Sequence, residues 1–386
     1  MIYLDHNATT AIRPQALAAM MPFLERQTGN PASVHGFGRA ARQGLDQARQ
    51  RIGSYFGVHD SLVCFTGGAT EANNLAISGI AAMRDRPGHV VTSAIEHPSV
   101  LEAVENLGSH GHEVTVLEVD ASGRVSVEHL ERHLRADTFL VSIMMANNET
   151  GVVQPFAEIG RLCRERGILF HLDAVQGVGR ISWFGERGGR MPADMVSVSA
   201  HKLGGPQGVG ALILERSLPL KPLLLGGGQE RGRRAGTQNL PGIVGFGTAI
   251  QWLSEHQEEE LGAMARLRDH LEERLLDGVP GLVVFGREVL RIPNTSMVGI
   301  EGIHGETLVM NLDLAGFAIS SGSACTSGRG TGSHVLAAMG VPEGLALAAV
   351  RISVGWNTRM LELERFIQQF IHILARLRGG TGTRSS

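Results

Sequence analysis

The sequence predicts an α/β fold built around a mostly parallel sheet, and two patterns carry this prediction. Over residues 39–300, short apolar runs bounded by turn-forming residues alternate with stretches whose apolar residues recur every three or four positions. The first pattern is typical of buried strands and the second of amphipathic helices. Because strands that alternate with helices form βαβ units, the sheet is expected to be mostly parallel.

The individual elements follow from these patterns in order along the chain. The first predicted helix contains Leu45, Ala48, Ile52 and Tyr55, and Gly57 is a stop signal behind it. Strands are then predicted at 62–65, 90–95, 113–119, 138–145, 168–172, 195–199 and 209–214. Helices are predicted between them at 69–80, 100–107 and 157–166.

The second half of the chain reads differently and suggests a further domain. A long helical stretch begins near residue 242, strands are predicted near 295–301 and 349–354, and a last helix is predicted at 361–377. A chain of 386 residues exceeds the usual size of a single domain. We therefore expect a large domain at 15–257 and a smaller C-terminal domain at 258–386.

Composition and charge narrow the class of protein. Hydrophobic residues make up 43% and charged residues 19%, with a net charge of −3, so nothing favours binding to nucleic acid or to a membrane surface. No long apolar run or basic leader predicts a transmembrane helix or a signal peptide. Three cysteines, an odd number, argue against a disulfide framework. We expect a cytoplasmic protein.

Two short segments carry the main chemical signal. His171-Leu172-Asp173-Ala174-Val175-Gln176 and Ser197-Val198-Ser199-Ala200-His201-Lys202 each close an apolar run with polar residues, at the edge where ligands bind in open α/β sheets. A lysine at such a position can be desolvated and form a Schiff base. A nearby carboxylate could keep a pyridinium nitrogen protonated. Lys202 and Asp173 therefore predict a site for pyridoxal 5′-phosphate (PLP).

A glycine-rich turn predicts where the phosphate of this cofactor binds. Thr66-Gly67-Gly68-Ala69-Thr70 follows a predicted strand and enters a predicted helix. A helix N-terminus offers free N–H groups and a partial positive charge to an anion. The turn alone is a weak signal, but beside the lysine site it suggests the N–H of Ala69 and the side chain of Thr70 as phosphate ligands.

Nine motifs, in the order of one known family, extend over nearly the whole chain. They are Leu4 to Thr10, Gly29 to Ser33, Phe65 to Glu71, Glu96-His97, Asn147 to Gly151, the two segments above, Arg234 to Thr237, and Ser320 to Thr326 with Arg351. On these motifs the chain resembles the PLP-dependent cysteine desulfurases of the class V aminotransferase family, in the group whose catalytic cysteine lies in a long loop.

The resemblance implies a fold and an assembly. It implies fold type I of the PLP-dependent transferases, with a mostly parallel seven-stranded sheet in the large domain and a smaller α+β C-terminal domain that residues 1–14 join. It also implies a homodimer, because the match at Thr237 contacts the cofactor phosphate of the neighbouring subunit. The basic residues beside Thr237 could otherwise belong to an ordinary solvated loop.

The resemblance also implies roles for residues around the cofactor. Asp173 would face the pyridine nitrogen, Gln176 the phenolic oxygen, and Ser199 and His201 the phosphate. His97 would stack on the ring and serve in proton transfer; the alternative is a solvent-facing ring at a helix start. These residues join Lys202 as the expected PLP site.

Two more residues are expected at the substrate. The resemblance makes Asn148 a contact of both cofactor and substrate. Arg351 interrupts an otherwise apolar predicted strand, and its planar guanidinium suits a substrate carboxylate. A structural ion pair is the alternative for Arg351.

Cys325 separates this activity from others on the same fold. It lies in a loop of small residues, Ser320 to Gly332, where a free thiol is a liability unless it is used. The alternative is an incidental loop cysteine. Cys64 and Cys163 are expected in the core. His129 and His133 have a spacing that metal ligands use on a helix, but no third ligand segment accompanies them, so no metal is expected.

The predicted function is removal of sulfur from L-cysteine, which gives L-alanine and a persulfide on Cys325. A sulfur-acceptor protein would receive the persulfide sulfur for iron–sulfur cluster, thio-cofactor or tRNA biosynthesis, and the residues do not distinguish these. Another PLP enzyme of this fold, such as a C–S lyase or an aminotransferase, would not need Cys325. A non-catalytic assembly protein would not need Lys202 or Asp173.

Overall fold

The computed structural model of the protein describes residues 1–181, 191–322 and 332–380. Its strands are β1 (Ile2–Tyr3), β2 (Val63–Thr66), β3 (His89–Ser93), β4 (Glu113–Leu117), β5 (Thr138–Met144), β6 (Leu169–Asp173), β7 (Met195–Ser199), β8 (Gly210–Leu214), β9 (Val283–Val284), β10 (Thr295–Gly299), β11 (Phe317–Ala318), β12 (Ser320–Ser321) and β13 (Val350–Ser353). Its helices are α1 (Pro14–Glu25), α2 (Gly36–Phe56), α3 (Ala69–Ala81), α4 (Pro98–Ser109), α5 (Val127–His133), α6 (Phe156–Arg166), α7 (Leu240–Gly278), α8 (Gly305–Leu314), α9 (His334–Ala338), α10 (Glu343–Leu347) and α11 (Met360–Gly380).

A seven-stranded sheet in the order β2-β8-β7-β6-β5-β3-β4 forms the centre of the fold. Neighbouring strands from β4 to β7 are parallel, whereas β8 pairs antiparallel with both β7 and β2. The prediction of a mostly parallel α/β sheet with seven strands is therefore confirmed. Among the described strands of this sheet, β8 alone runs against the others, so the carboxyl ends of the other six share one edge.

Helices cover this sheet because their apolar residues form continuous stripes. On α2, the buried side chains Ala41, Leu45, Ala48, Ile52 and Phe56 recur every three or four residues. The helix ends at Gly57, whose φ of 66° lies in the left-handed region that favours glycine. Helix α2 is thus confirmed at the predicted stop, and its stripe packs in the same core as the inward side chains of the sheet.

A smaller antiparallel sheet, in the order β12-β13-β10-β9, lies in the C-terminal part together with α8 and α11. The N-terminal strand β1 pairs parallel with β11 of this part. One hydrophobic cluster joins the inner faces here, and it includes Leu4 from the first residues. The mixture of strands and helices agrees with the expected α+β C-terminal region.

Helix α7 connects the two regions without interruption over 39 residues. Its first half contributes Leu240 to Leu253 to the core beside the large sheet, and its second half contributes Met264 to Leu275 to the C-terminal core. Within the described ranges, no helix has the combination of length and apolar character needed to span a bilayer.

Candidate active site

The carboxyl edge of the large sheet opens into a cavity of about 1220 Å³. The turns that follow β2, β3, β5, β6 and β7 all reach it, because these strands run in one direction. The cavity brings together ten of the residues that the sequence predicted for the site: Ala69, Thr70, His97, Asn148, Asp173, Gln176, Ser199, His201, Lys202 and Arg351.

Lys202 lies in a short 3-10 turn, Ala200–Lys202, directly after β7. Its ammonium nitrogen Nζ donates to the backbone oxygen of Ala8 at 2.7 Å and to that of Asn7. The N-terminal segment therefore forms part of the cavity wall beside the lysine. The prediction that this amine emerges from a buried strand agrees with the structure, since every residue of β7 is buried.

Asp173 is the last residue of β6 and is buried. Its Oδ2 accepts a hydrogen bond of 2.8 Å from Nδ2 of Asn73, and its Oδ1 accepts one of 3.1 Å from the N–H of Val175. Each oxygen retains a lone pair, so the carboxylate can still receive a proton donor from the cavity.

The predicted phosphate turn has the geometry of an anion site. Helix α3 begins at Ala69 without a side-chain cap, so its first N–H groups have no partner within the helix. Gly68 has φ of 156° and ψ of −179°, a conformation available almost only to glycine. Ser199 and His201 lie at the end of β7 on the same cavity. Burial, followed by the charges of Lys202 and Arg180, lowers the pKa of His201 to about 4, so this imidazole is neutral at neutral pH.

His97 lies at the N-cap of α4 and lines the cavity. Its Nδ1 accepts from the backbone N–H of Ser99 at 3.1 Å and lies 2.8 Å from the Ser99 hydroxyl. Burial lowers the pKa of His97; the charge of Asp173 opposes this shift, and Lys202 adds to it. The sequence had left open a solvent-facing ring at a helix start. The ring caps the start of the helix and lines the cavity, and its stacking on the cofactor stays a prediction.

Gln176 follows β6 and is held from two sides. Its Nε2 donates to the backbone oxygen of Asn7 at 3.0 Å, and its Oε1 accepts from the guanidinium of Arg180. Because Arg180 can only donate, it fixes the amide with the Nε2 side available to an oxygen of a ligand.

Arg351 and Asn148 also line the cavity and contact each other. The guanidinium of Arg351, which enters from β13, donates to Oδ1 of Asp5 at 2.7 Å and to the backbone oxygen of Asn148 at 2.9 Å. The ion pair that the sequence offered as an alternative is thus present, yet both Arg351 and Asp5 line the cavity. A structural pair and a substrate contact are compatible at this arginine.

Two predicted site residues, Thr237 and Cys325, are not among these ten. Thr237 is exposed and is not among the described residues that line the cavity. Cys325 lies outside the described residues. The two other cysteines, Cys64 and Cys163, are fully buried, and burial raises the pKa of each thiol to about 12. Neither can supply a thiolate at neutral pH, as expected for core residues.

Several residues at the site were not predicted from the sequence. Asn7, Asn73 and Ser99 line the cavity, and Arg180 donates to the side chain of Gln176, which also lines it. Asn7 belongs to the motif Leu4 to Thr10 and Asn73 lies one turn along the phosphate-turn helix, so helical spacing from Ala69 could have indicated Asn73. Arg180 carries a signal of a different kind, since it lies four residues after Gln176 in an otherwise apolar segment.

The donor set fits PLP. A buried carboxylate, an amine, an imidazole and an uncapped helix N-terminus face one cavity, and each matches a different part of that cofactor. Gly68 supports the fit independently, because its backbone conformation lets the chain turn at the helix start where a phosphate would bind. His129 and His133 stack edge to face on α5, and the described residues contain no cluster of three or more metal-ligating side chains.

Comparison with known proteins agrees with this site. Residues 2–366 match the aminotransferase class-V family. A cysteine desulfurase of Trichormus azollae is 42% identical over 98% of this chain and 94% of its own length. A solved NifS-like protein superposes with a TM-score of 0.90 at 37% identity, covering 97% of this chain and 99% of that one. The structure described as SspA in complex with cysteine has a TM-score of 0.81 at 35% identity, with 92% and 99% covered.

The match extends over almost the full length in both directions, so it includes the large sheet, the C-terminal region and every described element around the cavity. A match of this length at 42% identity shows membership of one family and not only a common fold. The chain is a member of the class V aminotransferase family and, within it, of the PLP-dependent cysteine desulfurases.

Proposed function

We propose that this cysteine desulfurase transfers the sulfur of L-cysteine to Cys325, leaves L-alanine, and passes the sulfur to an acceptor protein. The observation that carries the proposal is the meeting of Lys202, Asp173 and His97 in one cavity. Cys64 and Cys163 are buried thiols with raised pKa values, which supports Cys325 as the nucleophile.

The residues around the cofactor have separate proposed roles. When bound, PLP supplies an electron sink that stabilises negative charge on the α-carbon of an amino acid. Lys202 holds the cofactor and is the base that takes the α-proton. Asp173, kept in place by Asn73 and Val175, holds the proton on the ring nitrogen. His97 covers one face of the ring and assists proton transfer there.

The sulfur step is proposed to occur between two sulfur atoms. The thiolate of Cys325 attacks the sulfur of the substrate, so an S–S bond forms as the C–S bond of the substrate breaks. The electron pair of that bond stays with the substrate carbon, and a proton completes the methyl group of alanine. The enzyme keeps the sulfur as a persulfide, which a thiol reductant can release as sulfide.

The remaining cavity residues are proposed to bind the phosphate and the substrate. Ala69, Thr70, Ser199 and His201 contact the phosphate, and Gln176 donates to the phenolic oxygen. Arg351 and Asn148 bind the substrate, with the guanidinium of Arg351 directed at the carboxylate. The position of all these residues on one cavity supports the assignment.

A homodimer is proposed because Thr237 is exposed and does not line the cavity of its own chain. In the dimer it would reach the phosphate bound by a second copy. Arg234, three residues earlier, pairs with Glu71 at 2.9 Å, which ties this segment to the start of α3. Sedimentation of a stable, fully active monomer would contradict the proposal.

We also propose a cytoplasmic location and a division into domains at residue 257. The unpaired thiols of Cys64 and Cys163 suit a reducing compartment. The two buried clusters that share α7 support a large domain at 15–257 and a C-terminal domain at 258–386, to which Leu4 joins residues 1–14.

The experiment that tests the function is product analysis with L-cysteine and a thiol reductant. Alanine and sulfide in equal amounts are expected, whereas a C–S lyase would give pyruvate and ammonia. Cys325→Ser should bind PLP normally yet form almost no alanine, because a serine hydroxyl is a poor nucleophile toward sulfur. Cys163→Ala is the matched control and should keep full activity. Normal alanine production by Cys325→Ser would overturn the mechanism.

A further inference from the structure

A chain of hydrogen bonds runs along the wall of the cavity from Asp173 to His97 through Asn73 and Ser99. Nδ2 of Asn73 lies 2.8 Å from Oδ2 of Asp173 and 2.9 Å from Oγ of Ser99. Oγ of Ser99 lies 2.8 Å from Nδ1 of His97. The four residues come from α3, β6 and the start of α4, and Asn73 itself is fully buried.

The direction of each bond in this chain follows from the chemistry of Asn73. A carboxylate can only accept, so the group facing Asp173 must be the amide NH₂ rather than the amide oxygen. The second hydrogen of that NH₂ is then directed at Ser99. In this orientation the amide oxygen Oδ1 has no hydrogen-bond partner among the described residues, which costs free energy. The reversed orientation would cost more, because it would place the amide oxygen against the carboxylate of Asp173.

The direction of the remaining bonds determines which nitrogen of His97 carries the proton. Since Oγ of Ser99 accepts from Asn73, its own hydrogen is free to donate to Nδ1 of His97. The backbone N–H of Ser99, which can only donate, also points at Nδ1 from 3.1 Å. Two donors therefore converge on Nδ1, so this nitrogen is unprotonated and the imidazole proton is on Nε2.

We propose that Ser99 and Asn73 are positioning residues that hold His97 as the neutral Nε2–H tautomer and link it to Asp173. This inference rests on the proposed function, because it specifies how the imidazole beside the cofactor is oriented and protonated. Protonating Nδ1 would require the Ser99 hydroxyl to turn away and would leave the Ser99 N–H facing another N–H donor.

The groups around His97 also favour its neutral form, with one exception. Burial lowers its pKa, and electrostatic interactions with Lys202, in the turn after β7, and with His334, on α9, lower it further. The carboxylate of Asp173, on β6, is the charged group that favours the protonated form. Asn73 and Ser99 connect that carboxylate to the imidazole through three hydrogen bonds.

The test measures the titration of His97 itself. Exchange of the imidazole C2 hydrogen for deuterium, followed by mass spectrometry across pH, gives a midpoint for each histidine in a protein of this size. The measurement is made on the protein without PLP and again with PLP bound. Ser99→Ala removes the hydroxyl donor, Ser99→Thr keeps it, and Ser109→Ala is the matched control at the exposed end of the same helix.

We expect Ser99→Ala to move the His97 midpoint to higher pH in both forms, and Ser99→Thr and Ser109→Ala to leave it at the wild-type position. In the PLP-loaded enzyme, Ser99→Ala should lower kcat by about two- to tenfold with little change in KM, the size expected for one hydrogen bond. Asn73→Ala should move the midpoint in the same direction and also alter the absorbance of bound PLP.

An unchanged His97 midpoint in Ser99→Ala, or a Ser99→Thr variant that behaves like Ser99→Ala, would overturn the proposal. Failure of the proposed function would appear elsewhere, as the absence of alanine and sulfide from the wild-type enzyme. The titration of the protein without PLP does not depend on that outcome, so the two failures are distinguishable.

Discussion

Nη2 of Arg351 donates a 2.7 Å hydrogen bond to Oδ1 of Asp5, and this pair joins two residues 346 positions apart at the wall of the cavity. Arg351 is almost fully buried, while the Asp5 side chain is 18% exposed toward the cavity. Asp5 is therefore a carboxylate of the protein that shares the guanidinium proposed to bind the carboxylate of the substrate.

Asp5→Asn should strengthen substrate binding. Asparagine keeps an oxygen for Nη2 but removes the negative charge that competes for Arg351. We expect KM for L-cysteine to fall by about two- to fivefold, with kcat nearly unchanged, as for a partly exposed ion pair. Arg351→Lys should raise KM at least about tenfold, because a lysine cannot form the bidentate contact. If the KM of Asp5→Asn equals that of the wild type, Asp5 does not compete with the substrate for Arg351 and has a structural role only.

The stability of the protein should fall as pH rises through the titration of Glu96. Burial raises the pKa of this carboxyl to about 8, although Ser93 and Met144 donate to its Oε1. Its Oε2 has no partner among the described residues. The folded state thus binds a proton that the unfolded chain releases near pH 4.5, and stability is lost between about pH 4.5 and 8.

The variant Glu96→Gln tests whether ionisation of Glu96 lowers the stability of the folded state as pH rises. The amide is neutral at every pH, so the melting temperature of the variant should exceed that of the wild type by a margin that grows from pH 5 to pH 8.5. Scanning calorimetry measures the margin, and Glu105→Gln, at an exposed position of α4, is the control. A constant difference across this pH range would mean that Glu96 is already ionised at pH 5.

Much of the strand and helix pattern could be predicted from the sequence, because a buried stripe or a buried run leaves a local signal. The strand predicted at 195–199 is β7, with the same bounds. Helix α1 was missed for a physical reason. Only Ala16 of its residues is buried, and apolar residues such as Leu17 and Leu24 are exposed, so its sequence has no amphipathic stripe.

The contacts of the site could not be predicted in the same way. The motif residues were expected at one sheet edge, and ten of them line one cavity. The bonds that fix their orientation join residues far apart, such as Asn73 to Asp173 and Lys202 to Asn7. No spacing rule relates such positions, because their proximity depends on the order of strands in the sheet.

The ion pair of Arg49 and Glu230 should determine how firmly the segment before Thr237 is held. Both side chains are buried, with nitrogen and oxygen 2.8 Å apart, and Glu230 also accepts from the N–H of Phe65 at 2.9 Å. Glu230 has a φ of 48°, a left-handed conformation that costs energy in a residue with a side chain. The buried contacts of its carboxylate offset this cost.

Arg49→Met should destabilise the protein by about 3–5 kcal/mol, because it removes the direct ion-pair partner of the buried Glu230 carboxylate. Adding Glu230→Gln should recover part of the loss, since the amide keeps an oxygen for Phe65. If Thr237 serves the second subunit, Arg49→Met should also weaken PLP binding, as measured by equilibrium dialysis. Additive losses of stability in the double variant would contradict a direct pairing.

We expect the buried charge of Arg180 to lower the stability of the fold, while its hydrogen bond to Gln176 supports the proposed cofactor site. It is fully buried, and burial, with a further effect of Arg351, lowers the pKa of its guanidinium to about 10, so it remains a cation at neutral pH. Among the described residues, its hydrogen bonds go to Oε1 of Gln176 and to the backbone oxygens of Gln176, His6 and Lys202, and none of them is a carboxylate. A buried cation without a counter-charge destabilises a fold.

Arg180→Met should therefore separate stability from cofactor binding. Removing the buried charge should leave the melting temperature of the protein without PLP equal to that of the wild type or above it. The loss of the donor to Gln176 should weaken PLP binding by about three- to tenfold, the value of one hydrogen bond. It should also move the pH-dependent absorbance change of the bound cofactor to higher pH, since a nearby cation disfavours protonation of the lysine–cofactor linkage.

Two further variants are controls for Arg180→Met. Arg180→Lys keeps the charge and should behave like the wild type in the absorbance titration. Arg161→Met makes the same substitution at an exposed position on α6. A variant with a lower melting temperature and unchanged cofactor titration would show that Arg180 supports the fold rather than the site.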